Sequence, residues 1–184
     1  MLKLYGGAFS RAEIIKWYLA ELDMPYEFVQ LDMQAGAHRA ADFLAVNPMG
    51  KVPAIEDGDF KLWESGAILL YLAEKHGEMP TTPEARAEIA QWVLFANSTL
   101  ATGIFVEANR ERETPILLNP LDSIFQRQAY LTGESFNVAD VAVGATLSFM
   151  QAMLKFDFSS YPGIQAYLGR LSERPAFKKV ILRQ

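Results

Sequence analysis

The sequence predicts a two-part fold, a small α/β unit with a mixed sheet followed by an all-helical unit. Three observations carry that prediction. Strand-like and helix-like segments alternate over residues 1–77, a hairpin signal closes the alternation, and no convincing strand follows residue 83. The expected organisation is therefore an α/β domain over 1–77, a linker over 78–83 containing Pro80 and Pro83, and a helical domain over 84–184.

The elements follow in order. Leu2 to Tyr5 is a short apolar run stopped by Gly6-Gly7, a buried strand and its turn. Ser10 with Glu13 three residues on fits a capping box, and Ile15, Tyr18, Leu19 and Leu22 then recur at helical spacing. Pro25 ends that helix, Tyr26 to Leu31 reads as a second strand, and Ala40 to Val46 as a short helix. Val52–Ile55 and Phe60–Trp63 flank Asp57-Gly58, a strong two-residue turn signal. Ser65 opens a helix through Ile68, Leu69, Leu72 and Ala73. The order βαβ, then α, then ββα gives a four-stranded mixed sheet with helices on its faces.

Beyond the linker, one long helix is expected from about residue 83 to 112, with Pro83 in its first turn. Thr114-Pro115 and Asn119-Pro120 are expected to break the pattern, leaving a shorter helix from Leu121 to Tyr130. Asn137 and Asp140 form a capping box for the next helix, with Phe136 stapling onto Val141. Two further helices are expected, over 162–173 and 175–182.

Composition narrows the chemistry. Half of the 184 residues are apolar and the formal net charge is −5, which fits a globular core and argues against nucleic acid or an acidic membrane as partner. No run is long and apolar enough for a membrane span, and Met1 to Gly7 lacks the features of a secretory signal, so a cytoplasmic protein is expected. Zero cysteines exclude disulfides and a protein thiol nucleophile, and two histidines are too few to suggest a metal site. Any sulfur chemistry must use a thiol brought by a ligand.

Three places can carry chemistry, and each also has an ordinary structural use. Val52-Pro53 opens a strand; if the bond is cis, Val52 turns its N–H and C=O outward, where a peptide can pair with them. A trans edge proline is the ordinary alternative. Glu64-Ser65 opens a helix whose N-terminus can take a carboxylate while the acid takes an ammonium, although Ser65 can simply cap its own helix. Ser10-Arg11 combines a hydroxyl, a helix start and a guanidinium. Lowering a ligand thiol from a pKa near ~8.5 to mostly thiolate at neutral pH takes about 2.7 kcal/mol, which such a set can supply jointly. Tyr5, at the end of the first strand, is the competing hydroxyl.

Asn47 to Gly77, together with Ser10-Arg11 and the Asn137–Asp140 box, resembles the cytosolic glutathione transferases over nearly the whole chain. The resemblance implies a thioredoxin-like N-terminal domain, a cis Val52-Pro53 bond, and glutathione as co-substrate. It further implies that Val52 pairs with the cysteinyl main chain, that Glu64 and Ser65 take the γ-glutamyl end, and that Lys51 takes the glycine carboxylate, with His38 assisting. Ser10 with Arg11, or Tyr5, would activate the thiol. Phe9, Leu100 and Phe105 would form an apolar wall for a small hydrophobic electrophile between the domains, and the protein would be a homodimer serving detoxification.

Two departures bear on these expectations. The chain is short for the family, with the deficit expected between Arg112 and Tyr130, and the missing cysteine argues against thiol-exchange branches. Peroxide reduction by glutathione, or a non-catalytic carrier or assembly module, are the rival functions.

Overall fold

The computed structural model describes residues 1–8 and 10–184. It divides into two compact units, Met1–His76 and Gly77–Gln184.

In the first unit the strands β1 (Leu2–Gly6), β2 (Tyr26–Gln30), β3 (Ala54–Asp57) and β4 (Phe60–Trp63) form one sheet in the order β2-β1-β3-β4. β1 and β2 run parallel, and β1–β3 and β3–β4 run antiparallel. The mixed sheet is therefore the one expected from sequence. Alternation along β1 explains its two faces: Leu2 and Leu4 are buried, as is Ile55, the partner of Leu4. Helices α1 (Ala12–Glu21) and α3 (Ser65–Lys75) bring Ile15, Leu19, Ile68, Leu69 and Leu72 into the same core, each with essentially no exposure. Full burial of one such aliphatic side chain contributes about 2 kcal/mol. The next row, Tyr5, Ala54 and Trp63, packs instead with Phe43 and Val46 around the short helix α2 (Ala41–Leu44).

Two local details differ from expectation. Asp57 pairs with Phe60, so the hairpin loop is Gly58-Asp59 rather than Asp57-Gly58, with the glycine at φ +64°. The N-cap of α1 is Arg11, and Glu13 pairs with Lys16 at 2.9 Å instead of reaching back to complete a capping box.

The second unit is helical: α4 (Pro83–Leu94), a wide π-turn Phe95–Leu100, α5 (Ala101–Phe105), α6 (Glu107–Phe125), α7 (Val138–Leu154), α8 (Pro162–Ser172) and α9 (Pro175–Phe177), which runs into a second π-turn, Lys178–Leu182. The expected single helix over 83–112 is broken at Val106, whose backbone is extended. Arg110 and Asn109 explain the break, because their side chains donate to the carbonyls of Ile104 (2.8 Å) and Thr102 (3.3 Å) and satisfy the end of α5. The expected breaks at Pro115 and Pro120 do not occur. Both prolines sit inside α6 on its solvent side, together with Glu111 and Ile116, whose carbonyls they displace. The region expected to be truncated is thus a regular helix of 19 residues.

The core of this unit surrounds α7, in which every residue from Val138 to Leu147 is buried. The predicted capping box is present. Asn137 Oδ1 accepts the Ala139 N–H at 2.9 Å, while the Asp140 carboxylate accepts from the N–H groups of Asn137 and Leu131, both at 3.0 Å. Tyr167 donates its hydroxyl to Asp140 at 3.1 Å and stacks on Phe125 with ring centroids 3.8 Å apart.

Candidate functional site

The loop before β3, the helix starts of α1 and α3, and the loop following α2 converge on one small cleft of about 40 Å³, lined by Arg11, Asn47, Lys51, Val52, Pro53, Glu64 and Ser65. Six of these were singled out from sequence. They come from three separate stretches of chain, so the fold, and not proximity in sequence, assembles them.

Each wall has a local cause. The Val52–Pro53 bond is cis. Val52 lies outside β3, and its N–H and C=O form no hydrogen bond among the described residues. An edge of unpaired backbone next to a sheet is a place for an extended peptide to add. Opposite, α3 starts at Ser65, which is buried, while the preceding Glu64 is exposed and its side chain caps nothing. Glu64 has φ +71° and ψ +119°, a conformation that costs a non-glycine residue about 1–3 kcal/mol. Strain of this kind persists where the surroundings hold it, and Glu64 is among the residues that line the cleft.

Arg11 and Lys51 are exposed cations on the rim, and neither forms an ion pair among the described residues. The cleft therefore presents two positive groups, one negative group, a helix N-terminus and an unpaired backbone edge. That set suits a short peptide acid carrying two carboxylates and one ammonium.

Ser10 does not line the cleft but precedes Arg11, at its edge. Its Oγ accepts the N–H groups of Gly7 (3.2 Å) and Ala12 (3.3 Å), which leaves the hydroxyl proton without an acceptor among the described residues. A Cβ at Gly7 would lie 2.6 Å from Met33 Cγ, so any larger residue there would have to push the Met33 side chain aside. Tyr5 is different. Its hydroxyl donates in a short hydrogen bond to Glu56 Oε2, and burial together with that carboxylate pushes its pKa up to about 12. The proton that a ligand would need is already held.

The remaining candidates separate. His38 lies in the 3₁₀ turn Ala37–Arg39, its Nδ1 is buried with no hydrogen-bond partner among the described residues, and it does not line the cleft. Phe9 lies outside the described residues. Leu100, expected in an electrophile wall, has no exposed surface and is core, and Phe105 is half-buried. A wider cleft of about 560 Å³ in the helical unit is lined by Glu107, Arg110, Asp157 and Tyr161 among others, and includes neither Leu100 nor Phe105. Asn47 is the lining residue that sequence reasoning passed over. An asparagine closing a short helix before Pro-Met-Gly was its only signal.

Comparison with known proteins identifies the family. Residues 1–74 match the family model described as glutathione S-transferase, N-terminal domain, and residues 67–175 match the corresponding C-terminal domain. The chain is 32% identical to glutathione S-transferase GstB of Escherichia coli K12 over 186 aligned positions, covering 89% of each chain. A crystal structure of a possible glutathione S-transferase from Rhodopseudomonas palustris superposes with a TM-score of 0.83 at 33% identity, covering 95% of this chain and 94% of that one. A glutathione transferase family member from Pseudomonas fluorescens, solved with two glutathione molecules bound, gives a TM-score of 0.81 at 25% identity, covering 95% and 89%.

Proposed function

The chain belongs to the glutathione S-transferase family, and on that footing we propose that it binds glutathione in the cleft of the first unit and directs the thiolate onto small hydrophobic electrophiles. The observation that carries the reading is the meeting of Arg11, Lys51, Val52, Glu64 and Ser65 around one cleft with an unpaired backbone edge.

Glutathione satisfies that set group by group. Its cysteinyl main chain pairs with the N–H and C=O of Val52, as a strand pairs with an edge. Glu64 meets the γ-glutamyl ammonium, the N-terminus of α3 at Ser65 meets the adjacent carboxylate, and Lys51 meets the glycine carboxylate. Four anchored groups fix the thiol in position, so an electrophile held beside it meets an already aimed nucleophile.

Ser10 donates a hydrogen bond to the sulfur and the Arg11 guanidinium favours the charged form, so the thiol releases its proton to solvent. Tyr5 has its proton committed to Glu56 and serves the fold. The bound thiolate attacks the electrophilic carbon, a C–S bond forms, and the leaving group departs with the electron pair. No protein cysteine is required, and the sequence has none. Such chemistry serves detoxification and belongs in the cytoplasm, where thiols stay reduced.

We read the functional unit as a homodimer. Phe60 on β4 is 46% exposed and Leu94 on α4 is 60% exposed, two apolar side chains that a second copy can cover.

Calorimetric titration with glutathione, followed by a conjugation assay with an activated aryl chloride, tests the reading. Binding with turnover supports it. Turnover of an organic hydroperoxide alone would assign peroxide reduction instead, binding without turnover would make the protein a carrier, and no binding would refute the glutathione site.

A further inference from the structure

We propose that Asn47 is a positioning residue that aims the Val52 N–H into the cleft. The inference rests on the reading of that cleft as the glutathione site.

Asn47 is 1% exposed, and every polar group it has is engaged within residues 43–51. Its N–H donates to the Phe43 carbonyl at 2.9 Å, and its own C=O accepts from Gly50 at 2.9 Å. Its Oδ1 accepts the Met49 N–H at 3.0 Å, and its Nδ2 donates to the Lys51 carbonyl at 2.7 Å. The orientation of the side-chain amide is fixed by chemistry: Met49 N–H is a donor, so the atom facing it must be the oxygen, and the atom facing the Lys51 carbonyl must be the nitrogen.

The consequence lies on the other side of one peptide group. The Lys51 C=O and the Val52 N–H belong to the same plane, and that bond is trans, so the two groups point in opposite directions. Holding the carbonyl inward against Asn47 turns the N–H of Val52 away from the loop. Among the described residues that N–H has no partner, and Val52 lines the cleft. A loop peptide without such a tether can rotate through the two soft dihedrals that flank it, and the donor would then be aimed correctly only part of the time. Lys51 hangs from the same segment, so its reach is set by the same bond.

A protein-by-ligand double cycle tests this. The ligands are glutathione and its thioamide analogue, in which the cysteinyl C=O is replaced by C=S, a poor acceptor for the Val52 N–H. For Asn47→Ala we expect Kd for glutathione to rise roughly tenfold, the loss of one aimed hydrogen bond. Kd for the thioamide should change by less than about twofold, because the aimed donor is already wasted there. The KM for glutathione should rise in parallel, with kcat at saturation nearly unchanged.

Asn47→Asp supplies the second variant. It keeps the acceptor for Met49 and the shape, but replaces the donor to Lys51 by an oxygen. Its added charge acts on both ligands alike, so the same selective loss is expected. Equal losses for both ligands in either variant, or no loss, would overturn the inference while leaving the glutathione site intact. Failure of the unaltered protein to bind glutathione would instead remove the reading on which the inference rests.

Discussion

Two helix starts in this molecule use the same chemistry to opposite ends. At α7 (Val138–Leu154) the free N–H groups are closed off: Asn137 and Asp140 satisfy them, Asp140 has 0% exposure, and Tyr167 seals the carboxylate. At α3 (Ser65–Lys75) the preceding residue caps nothing, its backbone is strained at φ +71°, and its carboxylate faces outward. The first arrangement converts polar groups into stability. On the function proposed above, the second gives up stability to keep charge and direction available to a ligand. A helix start that is buried and saturated reads as structure, and one preceded by a strained, exposed acid is the better candidate for function.

The largest expected effect lies at the closed start. Asp140→Ala leaves the N–H groups of Leu131 and Asn137 and the Tyr167 hydroxyl without their acceptor. Urea denaturation at neutral pH should register a loss on the order of 4 kcal/mol, with glutathione affinity of the folded fraction intact. A loss below about 1 kcal/mol would mean that the box is not the lock described here.

The same carboxyl sets a pH dependence. Burial pushes its pKa up to about 6 despite the hydrogen bonds that favour its charged form. A native pKa above the unfolded value makes protonation stabilising. The contribution is fully present below about pH 4 and fades as pH rises through 6, by about 3 kcal/mol in all. The stability gap between wild type and Asp140→Asn should therefore widen as pH is lowered from 8 to about 5. A gap that narrows over that range would contradict the sign.

At the catalytic edge, Ser10→Ala should lower kcat roughly 100-fold, as expected for removing one donor from a developing or stabilised anion, while changing Kd for glutathione little. Glu64→Gly sharpens the comparison between the two helix starts. Glycine accepts the positive φ, so unfolding free energy should rise by about 1 kcal/mol while glutathione binding weakens at least tenfold. Loss of both stability and binding would show that Glu64 is not strained for function. The smallest effect is expected from Tyr5→Phe, whose hydroxyl serves Glu56, so kcat should stay within about twofold of wild type. Loss of turnover in Tyr5→Phe with Ser10→Ala unaffected would reverse the catalytic assignment.

Sequence revealed those features whose causes are local. The β-hairpin, the helix beginning at Ser65 and the Asn137–Asp140 box are all written in residues a few positions apart, and all are present. Pro115 and Pro120 misled because on the exposed face of a long helix the carbonyls they displace, those of Glu111 and Ile116, can turn to water, and solvent side is not a local property. The break at Val106 was missed for the converse reason, since it depends on side chains from α6 capping α5 across the turn. Tyr5 stood as the competing hydroxyl, behind Ser10, until its partner Glu56 appeared 51 residues away. Asn47 carried no chemistry of its own in the sequence. Its importance lies in a carbonyl it holds, and hydrogen-bond direction is not legible in residue order.

The central claim is that this cleft binds glutathione and stabilises its thiolate. Ultraviolet absorbance of the bound thiol, followed between about pH 5 and 9, tests it most directly. The account predicts a thiolate pKa near ~6.5, about two units below the free thiol, and a return toward the free value in Ser10→Ala. A bound thiol that titrates like the free one would contradict it.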